Sequence, residues 1–211
     1  MFKDRQEAGE KLAFKIQEEL GKEELEKAVI LGIPRGGIII GGVMRRILQV
    51  PFFPLITKKI PSPENEELAI GAVGEGGVVV WEEELCQRLG VNLDYRQKIV
   101  KEKIEELERK KKDFGYEGSL SVLAGKVAIL TDDGVATGAT MKAGIAVAAS
   151  FSPKEIVVAA PVIAYEALAE LKNRADKVVC LLAPEIFFSL SQFYANFTPV
   201  TDEEAKKFLK I

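Results

Sequence analysis

Apolar runs at 127–131, 155–160 and 177–182 alternate with helical stretches at 139–150 and 165–173, and this alternation restricts the fold more than any other feature. Runs of Val, Ile, Leu and Ala with no polar residue at every second place are buried on both faces. Such strands belong in a parallel sheet covered by helices on each side. The first half of the chain begins the same way. Leu12, Ile16 and Leu20 recur at helical spacing over about 4–20, and Gly21 follows as a stop. An apolar strand over 28–33 runs into Pro34-Arg35-Gly36-Gly37, an apolar helix over about 38–48 and a second strand over 52–57. The expected fold is α/β, a parallel sheet flanked by helices. The 211 residues, 47% of them apolar, suit one domain spanning 1–211 with a sizeable core.

The region of about 58–118 breaks the alternation and reads as a hood or lid inserted into that domain. Residues 58–67 hold two prolines and several charges, among them Glu64, Asn65 and Glu67, and read as a polar loop. Residues 68–73 and 78–81 flank Gly74-Glu75-Gly76-Gly77 and read as a β-hairpin. The glycines make 58–77 the candidate lid. A charged helix follows over about 92–113, with Asn92 as N-cap and Val100, Ile104 and Leu107 as a narrow apolar stripe. From 101 to 113, six residues are basic and five acidic, a balance that suits a solvated face. The basic cluster at 109–112 is the part that could attract phosphates. Residues 184–198 are aromatic-rich and irregular, and a closing helix over 202–209 has Thr201 as its N-cap.

Composition removes several kinds of chemistry. With no histidine, Ser-His-Asp hydrolysis, Cys-His proteolysis and imidazole general bases are out of reach. Cys86 and Cys180 form no Cys-x-x-Cys pair, so a thiolate zinc site or dithiol motif is absent, and Cys180 reads as a buried strand thiol. A net charge of −3 disfavours general nucleic-acid binding. No apolar run approaches the ~20 residues that span a bilayer. The charged start Met1-Phe2-Lys3-Asp4-Arg5 is unlike a signal peptide, which leads us to expect a soluble, cytoplasmic protein.

The chemistry is concentrated in Thr131-Asp132-Asp133-Gly134-Val135-Ala136-Thr137-Gly138-Ala139-Thr140, which follows the apolar strand and opens a helix. Strand C-termini border the ligand crevice of open α/β sheets. A helix N-terminus with free N–H groups suits an anion. Gly138 permits close approach of a phosphate, and Thr137 and Thr140 offer hydroxyls. Asp132 and Asp133 would repel a phosphate. They suit vicinal sugar hydroxyls, or a place beside Mg²⁺. A P-loop is ruled out because Ala139 stands where its lysine would be. A phosphoryl-accepting aspartate and a plain Asp-Gly turn before a capped helix remain as alternatives.

Strand–Asp-Asp-Gly-x-Ala-Thr-Gly-x-Thr resembles the binding motif for phosphoribosyl pyrophosphate (PRPP) of type I phosphoribosyltransferases. Leu31-Gly32-Ile33-Pro34-Arg35-Gly36-Gly37 resembles that family's pyrophosphate loop. The resemblance implies that Asp132 and Asp133 hold the ribose hydroxyls, and that Ala136, Thr137, Gly138, Ala139 and Thr140 wrap the 5-phosphate. It implies that Arg35 and Gly36 hold pyrophosphate, in a turn that often has a non-proline cis peptide, with Lys59 as a second contact. Mg²⁺ would be carried mainly by PRPP, near Asp132 and Asp133, with no direct protein ligand.

The implied reaction displaces pyrophosphate from C1 by a nitrogen acceptor such as a nucleobase. In relatives acting on 6-oxopurines the position of Ala136 is usually an aspartate, so this chain departs from that pattern. Phe187 and Phe188, with Phe193 and Tyr194 beside them, are the candidates for stacking on a base. Family members are commonly homodimers. A non-catalytic PRPP-binding regulator and a related chemistry on phosphorylated sugars are the other two functional classes.

Overall fold

The computed structural model describes residues 1–66, 68–116 and 118–209. Its centre is β6 (Val127–Thr131), every residue of which is buried. β1 (Ala28–Gly32) lies on one side of it and β7 (Glu155–Val162) on the other, both parallel to it. β2 (Phe52–Pro54) and β8 (Lys177–Leu182) complete the order β2-β1-β6-β7-β8, parallel throughout. The expected flanked parallel sheet is therefore present. β2 is shorter than the expected 52–57, since prolines at 51 and 54 bracket it, although Leu55 N–H still donates to the Gly32 carbonyl at 2.8 Å.

Pleating sends alternate residues to opposite faces and so builds two cores. Ile30 and Ile129 join Leu12 and Ile16 of α1 (Arg5–Glu19) and Ile38, Ile40 and Met44 of α3 (Gly36–Leu48). Val29, Leu31 and Leu130 join Ile145 and Val147 of α6 (Ala139–Ala149) and Leu171 of α7 (Tyr165–Lys172). α2 (Lys22–Glu26) is a short charged turn before β1 that hydrophobic spacing did not mark. Cys180 sits on edge strand β8 and is only partly buried, less than its apolar neighbours suggested.

The expected hairpin is present as β4 (Ala69–Val73) and β5 (Val79–Trp81). The expected loop over 58–67 is corrected at its start: Lys58–Pro61 forms β3, which pairs antiparallel with β4. Its lysines and proline have the composition of a loop, yet Ile60 is fully buried and anchors the strand. Glu67 lies outside the described residues. α4 (Glu83–Arg88) and α5 (Leu93–Phe114) follow, the latter capped by the Asn92 side chain, which accepts from Tyr95 N–H at 2.8 Å. The small sheet packs on α6: a Cβ on Gly74 would collide with Val147. Glu75 is buried beneath it, its carboxylate accepting from Leu120 N–H at 2.7 Å. Burial pushes the Glu75 carboxyl above the usual range, partly opposed by that hydrogen bond and by Lys111.

The last helix, α8 (Asp202–Leu209), begins as read. Thr201 Oγ1 accepts from Glu204 N–H at 3.1 Å, and the Glu204 carboxylate accepts from Thr201 N–H at 2.9 Å. Among the described residues no helix is long and apolar enough to cross a membrane.

Candidate active site

The C-terminal ends of β1 and β6 lie side by side, with Ile33 N–H donating to the Thr131 carbonyl at 2.9 Å. Each strand then turns into a helix, so the loops 33–35 and 132–138 face one another across a crevice. The first loop contains a cis peptide between Pro34 and Arg35, as the resemblance implied. Two glycines then let it touch the second loop. A Cβ on Gly36 would fall on the Asp133 carboxylate, and one on Gly37 on the Thr131 carbonyl. The second loop is pinned by Val135, which exchanges hydrogen bonds with β7 and the residues after it: its N–H donates to Val162 and its carbonyl accepts from Ala164, both at 2.8 Å. Gly138 takes φ +73°, a left-handed turn at the start of α6 that glycine adopts freely. The first turn of α6 leaves N–H groups without a partner inside the helix, that of Ala139 donating to Thr137 Oγ1 at 3.5 Å, and such a helix end is where a phosphate can bind. Thr137 and Thr140 are both exposed beside it.

Asp132 and Asp133 sit at the head of this loop in unlike surroundings. Asp132 Oδ1 accepts the Asp133 N–H at 2.8 Å. Loss of solvent, reinforced by the neighbouring Asp133 carboxylate, pushes the Asp132 carboxyl well above its ordinary value, against the pull of nearby N–H groups at Asp133 and Gly37. Asp133 is gripped by Arg5, whose Nε stands 2.6 Å from Oδ2. The Arg5 Nη1 donates to the Thr198 carbonyl at 2.9 Å, and its guanidinium carbon lies 3.8 Å from the centre of the Phe197 ring. Tyr194 closes the same corner, its hydroxyl donating to the Asp133 carbonyl at 2.6 Å. Burial raises the Tyr194 phenol, and the adjacent acids add to that.

Nothing in the local sequence marks Arg5 as part of the site, and Tyr194 stood out there only as an aromatic. They reach the dyad because Phe2 pairs with the 193–195 segment, Phe2 N–H donating to Phe193 and Ala195 N–H to Phe2, both at 2.7 Å. The other expected contacts are more dispersed. The Arg35 backbone lies in the crevice loop, but its guanidinium is turned to α8, with Nε 3.1 Å from Asp202 Oδ1 and Nη1 2.9 Å from the Val200 carbonyl. Asp202 also binds Lys110 of α5 at 2.8 Å, and Lys110 holds its carboxyl below the usual range. Lys59 is on β3 and faces, with Thr137 and Ala139, a cavity of about 730 Å³ between the small sheet and α6. Phe188 is 87% exposed, while Phe187 packs against Phe193 with ring centres 5.5 Å apart. Leu190 covers Gly134.

The family model of the phosphoribosyl transferase domain matches residues 2–198. The chain belongs to the phosphoribosyl transferase domain family. A Mycobacterium tuberculosis H37Rv protein named "Putative phosphoribosyl transferase" is 35% identical over 209 residues, covering 99% of this chain and 46% of that protein. This chain thus spans less than half the length of that curated relative. The crystal structure of TT1426 from Thermus thermophilus is 33% identical with a TM-score of 0.88, covering 99% of this chain and 97% of the other. The AQ2163 protein of Aquifex aeolicus shares the fold at 14% identity and a TM-score of 0.50, over 85% of this chain and 74% of that one.

Proposed function

We propose that this phosphoribosyl transferase domain moves the 5-phosphoribosyl group of PRPP to a nitrogen acceptor, in a Mg²⁺-dependent reaction that releases pyrophosphate. The observation that carries the reading is the single crevice in which an acid pair, a helix N-terminus and a glycine-lined loop meet. The three features fit the three parts of PRPP. Residues 136–140 receive the 5-phosphate through N–H groups and threonine hydroxyls. Asp132 and Asp133 receive the vicinal hydroxyls of the ribose. Backbone N–H groups of the 35–37 turn receive the pyrophosphate, and their fixed dipoles favour the charge that grows as it leaves. The Arg35 guanidinium would join them by leaving Asp202, and Lys59 by crossing from the small sheet.

Among the described residues no three His, Cys, Asp or Glu side chains converge. Mg²⁺ would arrive with PRPP near Asp132 and Asp133, and when bound it would offset charge on the leaving group. The acid pair would stand close to positive charge developing on the sugar. A nucleobase is the acceptor class that fits the resemblance. Leu190 and Tyr194 border the dyad more closely than Phe188, whose ring faces solvent.

Calorimetric titration with PRPP, with and without Mg²⁺, tests the ligand. Asp132→Asn with Asp133→Asn should cost at least about tenfold in affinity, the scale of one or two charge-assisted hydrogen bonds. Pyrophosphate release over a panel of bases and amines then separates a transferase from a PRPP-binding regulator. Wild-type protein that binds no PRPP under either condition would remove the reading.

A further inference from the structure

Arg5 is an expensive residue for its place. It is the first residue of α1, where the positive end of the helix dipole opposes a cation, and its side chain is only 10% exposed. A buried ion pair is weak support for stability, because apolar residues of similar size usually serve as well. Yet two contacts hold its guanidinium, and two features of the neighbouring backbone seat it. The Asp4 cap starts its helix, Phe2 is stitched to 193–195, Thr198 accepts from its Nη1 and Phe197 stacks on its plane. All of this places Nε on Asp133 Oδ2, so that the guanidinium holds a carboxylate that also hydrogen-bonds with the Asp132 side chain.

We infer that Arg5 is a positioning residue that fixes the Asp133 carboxylate in the orientation that receives a ribose hydroxyl. The inference rests on the phosphoribosyl reading above and deepens it. Without Arg5, the Asp133 carboxylate loses its charged partner and can turn towards the nearby N–H groups that serve Asp132. With Arg5 on Oδ2 the carboxylate plane is set, and Oδ1 keeps a lone pair that a ribose hydroxyl can use. The consequence is specificity for a sugar that still has its vicinal hydroxyls. Phosphate binding at 136–140 involves neither group.

The test compares ribose 5-phosphate with its 2-deoxy and 3-deoxy forms, titrated by calorimetry into wild-type protein and into Arg5→Gln. Wild type should prefer the full sugar by about tenfold over at least one deoxy form, the worth of one charge-assisted hydrogen bond. In Arg5→Gln that preference should fall towards unity, while the affinity for the deoxy form and for inorganic phosphate stays within about twofold of wild type. Arg5→Lys should restore part of the preference. A merely structural Arg5 would weaken all sugars and phosphate together. Phe197→Leu, which removes the stack but leaves the pair, provides a second variant if Arg5→Gln does not fold, and it should show a smaller loss of the preference.

Equal preference in folded Arg5→Gln or Phe197→Leu and in wild type overturns the inference. So does tighter binding of the full sugar by Arg5→Gln, which would make Arg5 a competitor of the hydroxyl. If wild type binds ribose 5-phosphate and PRPP not at all, it is the phosphoribosyl reading that fails, a result distinct from either.

Discussion

At the residue scale the acids of this protein differ by what surrounds them. Asp132 and Asp133 are neighbours in sequence, yet one is held by backbone N–H groups and the other by a guanidinium 128 residues away. The pair itself was legible, because strand, acids, glycine and threonines are contiguous. The roles of Arg5 and Tyr194 were not, because they depend on a chain-end pairing that no local pattern announces.

Glu75 gives the clearest test of pH dependence. Its folded carboxyl is raised, so it binds more protons in the native state than in the unfolded chain. Its contribution to stability is then full below the ordinary carboxylate range and is lost as pH rises through the folded value. Glu75→Gln keeps an acceptor for Leu120 N–H and removes the charge. Denaturant melts between about pH 4 and pH 8 should show wild type losing stability relative to Glu75→Gln as pH rises. Parallel curves would mean that the buried carboxyl carries no such cost.

Among the elements, α8 is the one that ties the crevice to the hood. Asp202 at its start holds Arg35 of the first loop and Lys110 of α5. Both pairs are partly exposed, so their joint worth is small, about 1 kcal/mol. Asp202→Asn should therefore cost about that much in a denaturant melt, and PRPP should bind a few-fold more tightly because Arg35 no longer leaves a carboxylate to reach it. A tenfold loss of PRPP affinity would show instead that Asp202 holds Arg35 where it is needed.

The element pattern also explains what could be read in advance. β6, β7 and α6 were plain because burial on both faces leaves an unbroken apolar run. Asn92 and Thr201 were plain because capping is a contact over three residues. β3 was hidden because a short outer strand with only Ile60 buried has the lysines and proline of a loop, and α2 and α4 are too short for a periodic stripe.

Over the whole molecule, the described residues of the hood form no core of their own. Ile60, Ile70 and Val73 of the small sheet and Leu107 and Phe114 of α5 belong to the same apolar cluster as Leu12 and Ile16 of α1. Shared packing of this kind couples hood and sheet during unfolding. Scanning calorimetry of the ligand-free chain should give one transition with matching calorimetric and van't Hoff enthalpies. Two resolved transitions, the first removing the signal of Trp81 on β5, would show that the hood melts alone.

The pairing of Phe2 with residues 193–195 also has a consequence for the order in which the protein is made. When a ribosome has synthesised the chain through β8, the five-stranded sheet, both acids and the phosphate loop are all present. The segment that seats Phe2, Phe197 and the Thr198 carbonyl is still missing, so Arg5 has nothing to hold it over Asp133. On the reading proposed above, a nascent chain has the acid meant for the sugar before it has the cation that aims it. The Arg5 contacts of the crevice are thus completed only after translation has passed residue 198, and a transcript cut short of that point yields a sheet with an unfinished crevice.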